Sequence, residues 1–280
     1  PPLFTSRRRH TRSRLLSRGL GDVYKRQEMI YVADPGARGI HRFDLHDASY
    51  RLLYRKNDQP LSSPTGMALG PEQRVFITDS SLGRLFVATP EVDFLSPVEL
   101  QSELQQPTGV VFDQETGQLY IVDTSAHAIK VFSGTGAFIR QFGRRGSGPG
   151  EFNFPTALWQ DRSGQLLVSD SLNFRIQRFN TRGEFISQFG QAGDASGDLS
   201  RPKGVATDRS GHIYVVDSMF HAFQIFDATG ELLFMLGSQG HEAGEFWLPT
   251  GIFIAADDSI YVSDSHNQRV QIFRYIGGEP

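Results

Sequence analysis

The 280-residue sequence contains no cysteine, few lysines and no long apolar run. The absence of cysteine excludes disulfides and thiolate chemistry. No stretch of 18 apolar residues occurs, so the sequence predicts no transmembrane helix. Outside residues 1–27 there are three lysines (Lys56, Lys130 and Lys203), and 20 basic residues stand against 30 acidic ones, a net charge of −10. Because nucleic-acid affinity rests on basic residues that neutralise phosphates, this balance argues against a nucleic-acid partner.

Six aspartates recur at a nearly constant spacing along the chain. Each one ends a short aliphatic or aromatic strand, and a turn and a basic residue follow it. The spacings are 45, 44, 47, 47 and 47 residues along the set Asp34, Asp79, Asp123, Asp170, Asp217 and Asp264. A fixed period in this range indicates a stack or ring of one supersecondary unit.

The clearest copy of the unit runs from Pro202 to Leu248. It contains four short strands separated by turns rich in Gly, Asp and Ser, and it carries no sustained helical period. Four antiparallel strands per repeat are typical of a propeller blade. We therefore predict an all-β fold, a six-bladed β-propeller with four-stranded antiparallel blades.

The predicted propeller is one domain over residues 28–280, and its two end blades are incomplete. The predicted blades are about 28–60, 61–106, 107–154, 155–201, 202–248 and 249–280. The first blade lacks its first strand and the last lacks its fourth, which leaves 22 recognisable strands. We expect that the chain is truncated at its N-terminus, and that the natural N-terminus supplies the missing first strand and the strand that closes the last blade.

Three motifs recur in register through the repeats. They are Pro-x-Gly before strand one, Tyr-Val-x-Asp-Ser at the end of strand two, and Asn-x-Arg-Val-Gln-Ile-Phe in strand three, which is clearest at residues 267–273 and 173–179. These motifs resemble those of the NHL-repeat family over about residues 28–280, and the unit Pro64–Gln106 departs most from them. The resemblance implies a propeller that acts as a binding scaffold, as many members of the family do.

Residues 1–27 differ from the rest in charge, with eight basic residues and one acidic residue. They resemble translated sequencing-adapter read-through in metagenomic gene predictions. A basic nucleic-acid arm, a transit peptide and a remnant of an expression vector are the alternatives. We predict a non-native, disordered extension in which residues 1–20 pack poorly and pair with little.

Strand direction alternates along the chain, which assigns the connections to two faces. The long links Arg144–Phe154, Gln191–Arg201 and Ser238–Leu248 fall on the same face as the turns between strands two and three. Binding residues concentrate on loops that a rigid scaffold holds. We therefore place any site on this face, which we call the long-link face, near the central channel.

Each turn between strands two and three carries a basic residue four or five positions after its aspartate. The six form a predicted cationic ring suited to a carboxylate, a phosphate or an acidic peptide: Arg38, Arg84, His127, Arg175, His221 and Arg269. The structural alternative is that each aspartate caps its turn and pairs with the arginine of its own blade. Trp247 stands where sibling links have Asn153 and Ser200, so it is either an exposed contact residue or a gap filler.

The predicted function is that of a binding scaffold for a protein, a peptide or a small anionic ligand, with no catalytic residue and no cofactor. One alternative is an amidating-lyase-like enzyme with zinc held by histidines, although the candidates His127, His221, His241 and His266 lack ligand-pair spacing. The others are a lactonase-type hydrolase and a calcium site made by the six aspartates. Bacterial proteins of this type look secreted or lipid-anchored, so we expect a periplasmic or cell-envelope location.

Overall fold

A computed structural model describes residues 4–6, 20–21, 23–26, 29–90 and 92–275. These residues form a six-bladed propeller in which every blade is a four-stranded antiparallel sheet, as the sequence predicts. Three short 3-10 turns, Lys56–Asp58, Pro71–Gln73 and Ser171–Asn173, are the helical elements of the described part. None of the described helices is long and apolar enough to span a membrane.

Twenty-four strands are described, in chain order and blade by blade. The closing strand is β1 (Phe4–Ser6), and blade one comprises β2 (Val23–Arg26), β3 (Met29–Asp34), β4 (Gly39–Asp44) and β5 (Tyr50–Arg55). Blades two and three comprise β6 (Pro64–Leu69), β7 (Val75–Asp79), β8 (Arg84–Ala88), β9 (Phe94–Val98), β10 (Pro107–Asp113), β11 (Gln118–Asp123), β12 (Ala128–Ser133) and β13 (Phe138–Phe142). Blades four to six comprise β14 (Pro155–Gln160), β15 (Leu166–Asp170), β16 (Arg175–Phe179), β17 (Phe185–Phe189), β18 (Pro202–Thr207), β19 (Ile213–Asp217), β20 (Ala222–Phe226), β21 (Leu232–Leu236), β22 (Ile252–Ile254), β23 (Ser259–Asp264) and β24 (Arg269–Tyr275).

The core of the described propeller is divided among the interfaces between neighbouring blades. Six apolar clusters fill the six interfaces, and the cluster between blades six and one closes the ring. The second strand of a blade serves two interfaces because successive side chains point to opposite faces of the sheet. Val215 packs toward blade four and Val216 toward blade six, and neither is exposed to solvent.

The Pro-x-Gly motif has a steric origin at the centre of the ring. The first strand of each blade faces the central channel, where neighbouring first strands approach closely. A Cβ atom on Gly66 would lie 2.0 Å from the Thr108 carbonyl oxygen, and one on Gly204 would lie 2.8 Å from the Ile252 nitrogen. Only glycine fits at such distances.

The structure has two more strands than the 22 counted in the sequence, and both lie within residues 1–27. Strand β1 pairs with β24, with Phe4 opposite Tyr275, and β2 pairs with β3, with Val23 opposite Val32. Leu20 and Val23 are 1% exposed and belong to the cluster between blades six and one. Strand β1 and Leu20 therefore pair and pack, contrary to the expectation that residues 1–20 would do little of either. The foreign origin of residues 1–27 stays a prediction.

Blade two also differs from the others at its outer edge. Its outermost strand, β9, pairs in parallel with β5 of blade one through Tyr54–Phe94 and Arg55–Leu95, which merges the two blades into one eight-stranded sheet. The sequence unit in this blade lacks the glycine-rich link that follows blades three, four and five. The direct strand pairing holds the two blades together at that position.

Candidate functional site

The six repeat aspartates are buried turn anchors. All are 0% exposed. Asp217 accepts hydrogen bonds from the backbone N–H groups of Ser200 and Arg201 in the preceding link and from Met219 in the following turn, at 2.7 to 3.0 Å. The Asp217 carboxylate therefore ties the preceding link to its own turn.

The side chain that bonds to these carboxylates differs from blade to blade. Asp170 and Asp264 accept from the Nε of Arg175 and Arg269 at 2.8 and 2.7 Å. In two other blades the partner comes from further along strand three, where His41 contacts Asp34 at 2.8 Å and Lys130 contacts Asp123 at 3.0 Å. A buried carboxylate requires such compensation, and several side chains can supply it.

Arg175 and Arg269 also hold the long links in place. Both amino groups of Arg175 donate to link carbonyl oxygens, those of Ser147, Gly148 and Glu151, at 2.8 to 2.9 Å. Arg269 donates in the same way to three carbonyls of the link that follows blade five. Arg175 is 5% exposed and its N–H groups are used within the protein, so this geometry favours the structural alternative for these two arginines.

The six basic residues of the predicted cationic ring do not occupy equivalent positions. Four residues after the aspartate, the backbone is left-handed in every blade, with φ of 52° to 63° at Arg38, Gly83, His127, Phe174, His221 and Gln268. One residue further on lie Arg84, Arg175 and Arg269, at the start of strand three. The structure therefore divides the predicted ring between two positions, because the left-handed residue and the next one point in different directions.

The two histidines at the left-handed position support the link backbone. His127 Nδ1 accepts from the Phe154 N–H at 3.2 Å, and His221 Nδ1 accepts from the Leu248 N–H at 3.1 Å. Arg38 donates to the Leu61 carbonyl at 2.9 Å, and Arg84 is exposed. Because accepting an N–H needs an unprotonated nitrogen, the contact at each histidine suits a neutral imidazole.

His221 should make the stability of the fold dependent on pH. Burial lowers the pKa of His221, an effect that nearby Asp264 and Asp217 oppose and His266 reinforces. The unfolded chain then binds more protons than the folded one below the ordinary histidine pKa of about 6.5, so stability falls as the pH decreases through that value. His221→Asn tolerates the left-handed backbone and does not titrate. We expect its melting temperature to fall less between pH 7 and 5 than that of the wild type. Equal slopes would contradict this role.

Four exposed apolar side chains lie in the links and turns of the long-link face. Leu82, Phe154, Met219 and Trp247 are 37%, 38%, 55% and 38% exposed. Trp247 lies between His241 and His266, with ring centroids 5.2 and 5.8 Å away. Trp247 is thus partly exposed, and its role as a contact residue stays a prediction. Trp159, by contrast, packs against Phe253 and donates from Nε1 to Thr207 at 2.9 Å.

A cavity of about 620 Å³ lies in the central channel, lined by the first strands of the blades and by Trp159. Its wall carries the residue that follows the first proline of blades two to six, which is threonine in four blades and lysine in blade five: Thr65, Thr108, Thr156, Thr250 and Lys203. Among the described lining residues Lys203 alone is charged. Burial lowers the pKa of its ammonium, and the nearby Arg201 adds to this effect.

Sequence reasoning counted Lys203 as one of three lysines and assigned it no role. A signal was nevertheless present, because a repeat that has threonine at four copies of one position has lysine at the fifth. What the sequence does not convey is that these positions line one cavity.

Two family models match the chain. One, described as a 6-bladed beta-propeller, matches residues 102–188, and the other, described as an NHL repeat, matches residues 246–273. These two matches support the NHL-repeat propeller family that the sequence motifs resemble. The second match lies in the last blade, where the motif Asn-x-Arg-Val-Gln-Ile-Phe is clearest in the sequence.

The chain is similar to proteins of several functions. Mouse peptidyl-glycine alpha-amidating monooxygenase is 28% identical over 155 residues, which cover 50% of the chain and 14% of the enzyme. An auxiliary nutrient binding protein from Bacteroides thetaiotaomicron superposes with a TM-score of 0.72 at 14% identity, over 92% of this chain and 69% of that one. XC5397, a gluconolactonase from Xanthomonas campestris, superposes with a TM-score of 0.69 at 13% identity, over 92% and 86%. The structural likenesses show a shared fold.

The described residues of the propeller do not provide the ligand sets that the metal alternatives require. No group of three or more His, Asp or Glu side chains comes together in them as a metal site would need. The six aspartates are fully buried. Their carboxylates, where partners are described above, are bonded to residues of their own blade or of the preceding link. The residues present therefore fit neither a histidine-held zinc nor a calcium bound by the aspartates in the channel.

Proposed function

We propose that this NHL propeller is a binding scaffold that receives a small ligand in its central channel from the long-link face. The observation that carries the proposal is the channel cavity of about 620 Å³. Pockets of about 300–1,000 Å³, apolar with a few convergent polar groups, are typical of small-molecule sites. Here Val110, Leu158 and Phe253 supply apolar wall, and threonines and Lys203 supply the polar groups.

Rigidity of the surrounding links supports this proposal. The link after blade three is held by Arg175 and by Gln177, whose amide accepts from the Gly150 N–H and donates to the Glu151 carbonyl at 2.9 and 2.7 Å. The same arrangement recurs at Gln224 and Gln271. A channel mouth built from fixed links binds a ligand without a large ordering cost.

The enzymatic alternatives have less support from the residues. A zinc lyase needs several protein ligands around one metal, and a lactonase-type site needs inward carboxylates. The described lining of the channel contains no carboxylate and no histidine. We therefore propose that the protein binds its ligand without converting it, and that it does so in the periplasm or cell envelope. The alternative form of this proposal is a scaffold that binds a protein or peptide on its exposed rim.

The two tryptophans allow the channel and the rim to be distinguished. Trp159 lines the cavity and Trp247 is exposed on the long-link face. In a Trp247→Phe variant, Trp159 is the sole tryptophan. When the compounds of a small-molecule library are added one by one, we expect the ligand to shift the emission of Trp159. A Trp159→Phe variant, which reports from Trp247, should respond less. A response confined to Trp247 would place binding on the rim and overturn the channel proposal.

A further inference from the structure

We propose that Lys203 is the anion-recognition residue of the channel, and that the ligand is a small compound carrying a carboxylate or phosphate together with hydroxyl or amine donors. This inference rests on the proposed channel-binding function and adds the chemical class of the ligand. It follows from the way in which Lys203 departs from its four threonine equivalents.

The threonines at this position are satisfied within the protein. Thr108 Oγ1 lies 2.8 Å from Thr124 Oγ1, and Thr156 Oγ1 lies 2.7 Å from Ser171 Oγ. Thr65 contacts Ser80 in the same way at 3.2 Å. Thr250 differs in its partner, since it contacts Ser263, the residue before Asp264, at 3.1 Å and lies 2.7 Å from the Leu20 carbonyl oxygen. A threonine–hydroxyl pair is thus the ordinary arrangement of this position.

Lys203 has no such partner. No hydrogen bond or ion pair joins its ammonium to another described residue, although the side chain is half-buried. Ser218, the residue that a threonine would contact there, is left with its hydroxyl donating to the Pro249 carbonyl at 2.6 Å. An unpaired ammonium removed from water is unfavourable. Its presence in the cavity is accounted for if a ligand supplies the missing negative charge.

The charge of the cavity lining is opposite in sign to the net charge of the chain. Outside residues 1–27 the chain carries a net charge of −10, yet the described lining of the cavity includes one cation and no carboxylate. Field lines concentrate in a cleft with low-dielectric walls, so a single ammonium there attracts anions more strongly than an exposed lysine would. An anionic group bound at Lys203 would gain a charge-assisted hydrogen bond.

The hydroxyl pairs determine what the rest of the ligand should offer. Thr124 donates to the Pro155 carbonyl at 2.7 Å and Ser171 donates to the Pro202 carbonyl. Because Thr124 and Ser171 each have one hydroxyl proton and donate it to a carbonyl, Thr108 must donate to Thr124 and Thr156 must donate to Ser171. Each hydroxyl has one proton and two lone pairs, so these two threonines present acceptors to the cavity. Hydroxyl or amine hydrogens beside the anionic group would be matched there.

Lys203→Thr restores the threonine found in the other blades and is the central variant. If Lys203 is kept for binding, removing the unpaired charge should leave the melting temperature unchanged or raise it by about 2–4 °C. If Lys203 instead stabilises the fold, its replacement should lower the melting temperature. Lys203→Arg, which keeps the charge, is the matched variant for binding.

Isothermal titration with matched probes tests the ligand class. Gluconate is compared with sorbitol, and glycerol 3-phosphate with glycerol, so that each pair differs in the anionic group. We expect the wild type to prefer the anion of at least one pair, and Lys203→Thr to weaken that binding about 10–150-fold, the range for one hydrogen bond to a charged group. Lys203→Arg should retain part of it. The pair that responds distinguishes carboxylate from phosphate.

Three results would overturn the inference. They are equal binding of anion and neutral partner, unchanged affinity in Lys203→Thr, and no wild-type binding of either anion at 10 mM. If sorbitol or glycerol shifts Trp159 emission equally in both proteins, the channel is a binding site and Lys203 is not its anion-recognition residue. If Trp159 responds to no compound while Trp247 responds, the proposed function itself fails.

Discussion

Asp170→Ala should lower the free energy of unfolding by about 3–5 kcal/mol, the usual result when one partner of a buried ion pair is removed. The Asp170 carboxylate accepts from the Asn153 N–H at 2.6 Å and from the side chains of Asn173, Arg175 and Gln177 at 2.8 to 3.0 Å. Without it, Arg175 retains a buried charge and the link before blade four loses its anchor. Urea denaturation followed by circular dichroism measures the difference.

Asp257→Ala is the matched control for this prediction. Asp257 contacts Arg274 at 3.0 Å, but the side chains are 48% and 56% exposed. Exposed pairs contribute about 0–1 kcal/mol, so the control should unfold close to the wild type. Comparable losses in the two variants would show that burial of the repeat aspartates is not what stabilises the blade.

Removing residues 1–27 should destabilise the propeller by about 3–6 kcal/mol relative to a chain that begins at residue 20. The shorter chain loses β2 and the burial of Leu20 and Val23, each of which is 1% exposed. Complete burial of an aliphatic side chain contributes about 1.5–3 kcal/mol. The removal of β2 also leaves the channel-side edge of β3 unpaired, so the shorter chain should aggregate faster as well as unfold more easily. Thermal unfolding with light scattering measures both effects.

The comparison between the two truncated chains also bears on the origin of residues 1–27. Both chains lack β1, so the difference between them isolates residues 20–27. If the chain that begins at residue 28 is as stable as the longer one, this part does not contribute to the propeller, as expected of adapter read-through. Leu20→Ala in the full chain should cost about 2–5 kcal/mol and provides an independent check on the same contact.

Much of the architecture could be read from the repeat. The period of the six aspartates implies six blades, and the Gly- and Asp-rich turns mark the strand ends, because both are local patterns that recur in register. The same recurrence favoured the structural role of Asp170 and Arg175, since a residue required in every blade usually serves the blade. The face that carries the long links followed from strand direction alone.

Other features depended on contacts between residues far apart in the chain. The predicted basic ring combined two successive positions, because spacings of four and five residues after the aspartate look alike until the left-handed turn separates them. Strands β1 and β2 carry no repeat motif and are recognisable only by their pairing with β24 and β3. The pairing of β5 with β9 depends on how two blades lie side by side.

By itself, the sequence determined the number of blades, the strand order and the residues that close each turn, because these depend on local spacing. The tertiary structure decided which cations are bonded to buried carboxylates and which one lines the channel. Arg175, Lys130 and Lys203 are all cations in a chain of net negative charge, and composition does not distinguish them. Arg175 and Lys130 are bonded to buried aspartates, whereas Lys203 faces the channel without a partner among the described residues. Whether a charge is neutralised depends on three-dimensional proximity, and proximity across blades is set only when the ring closes.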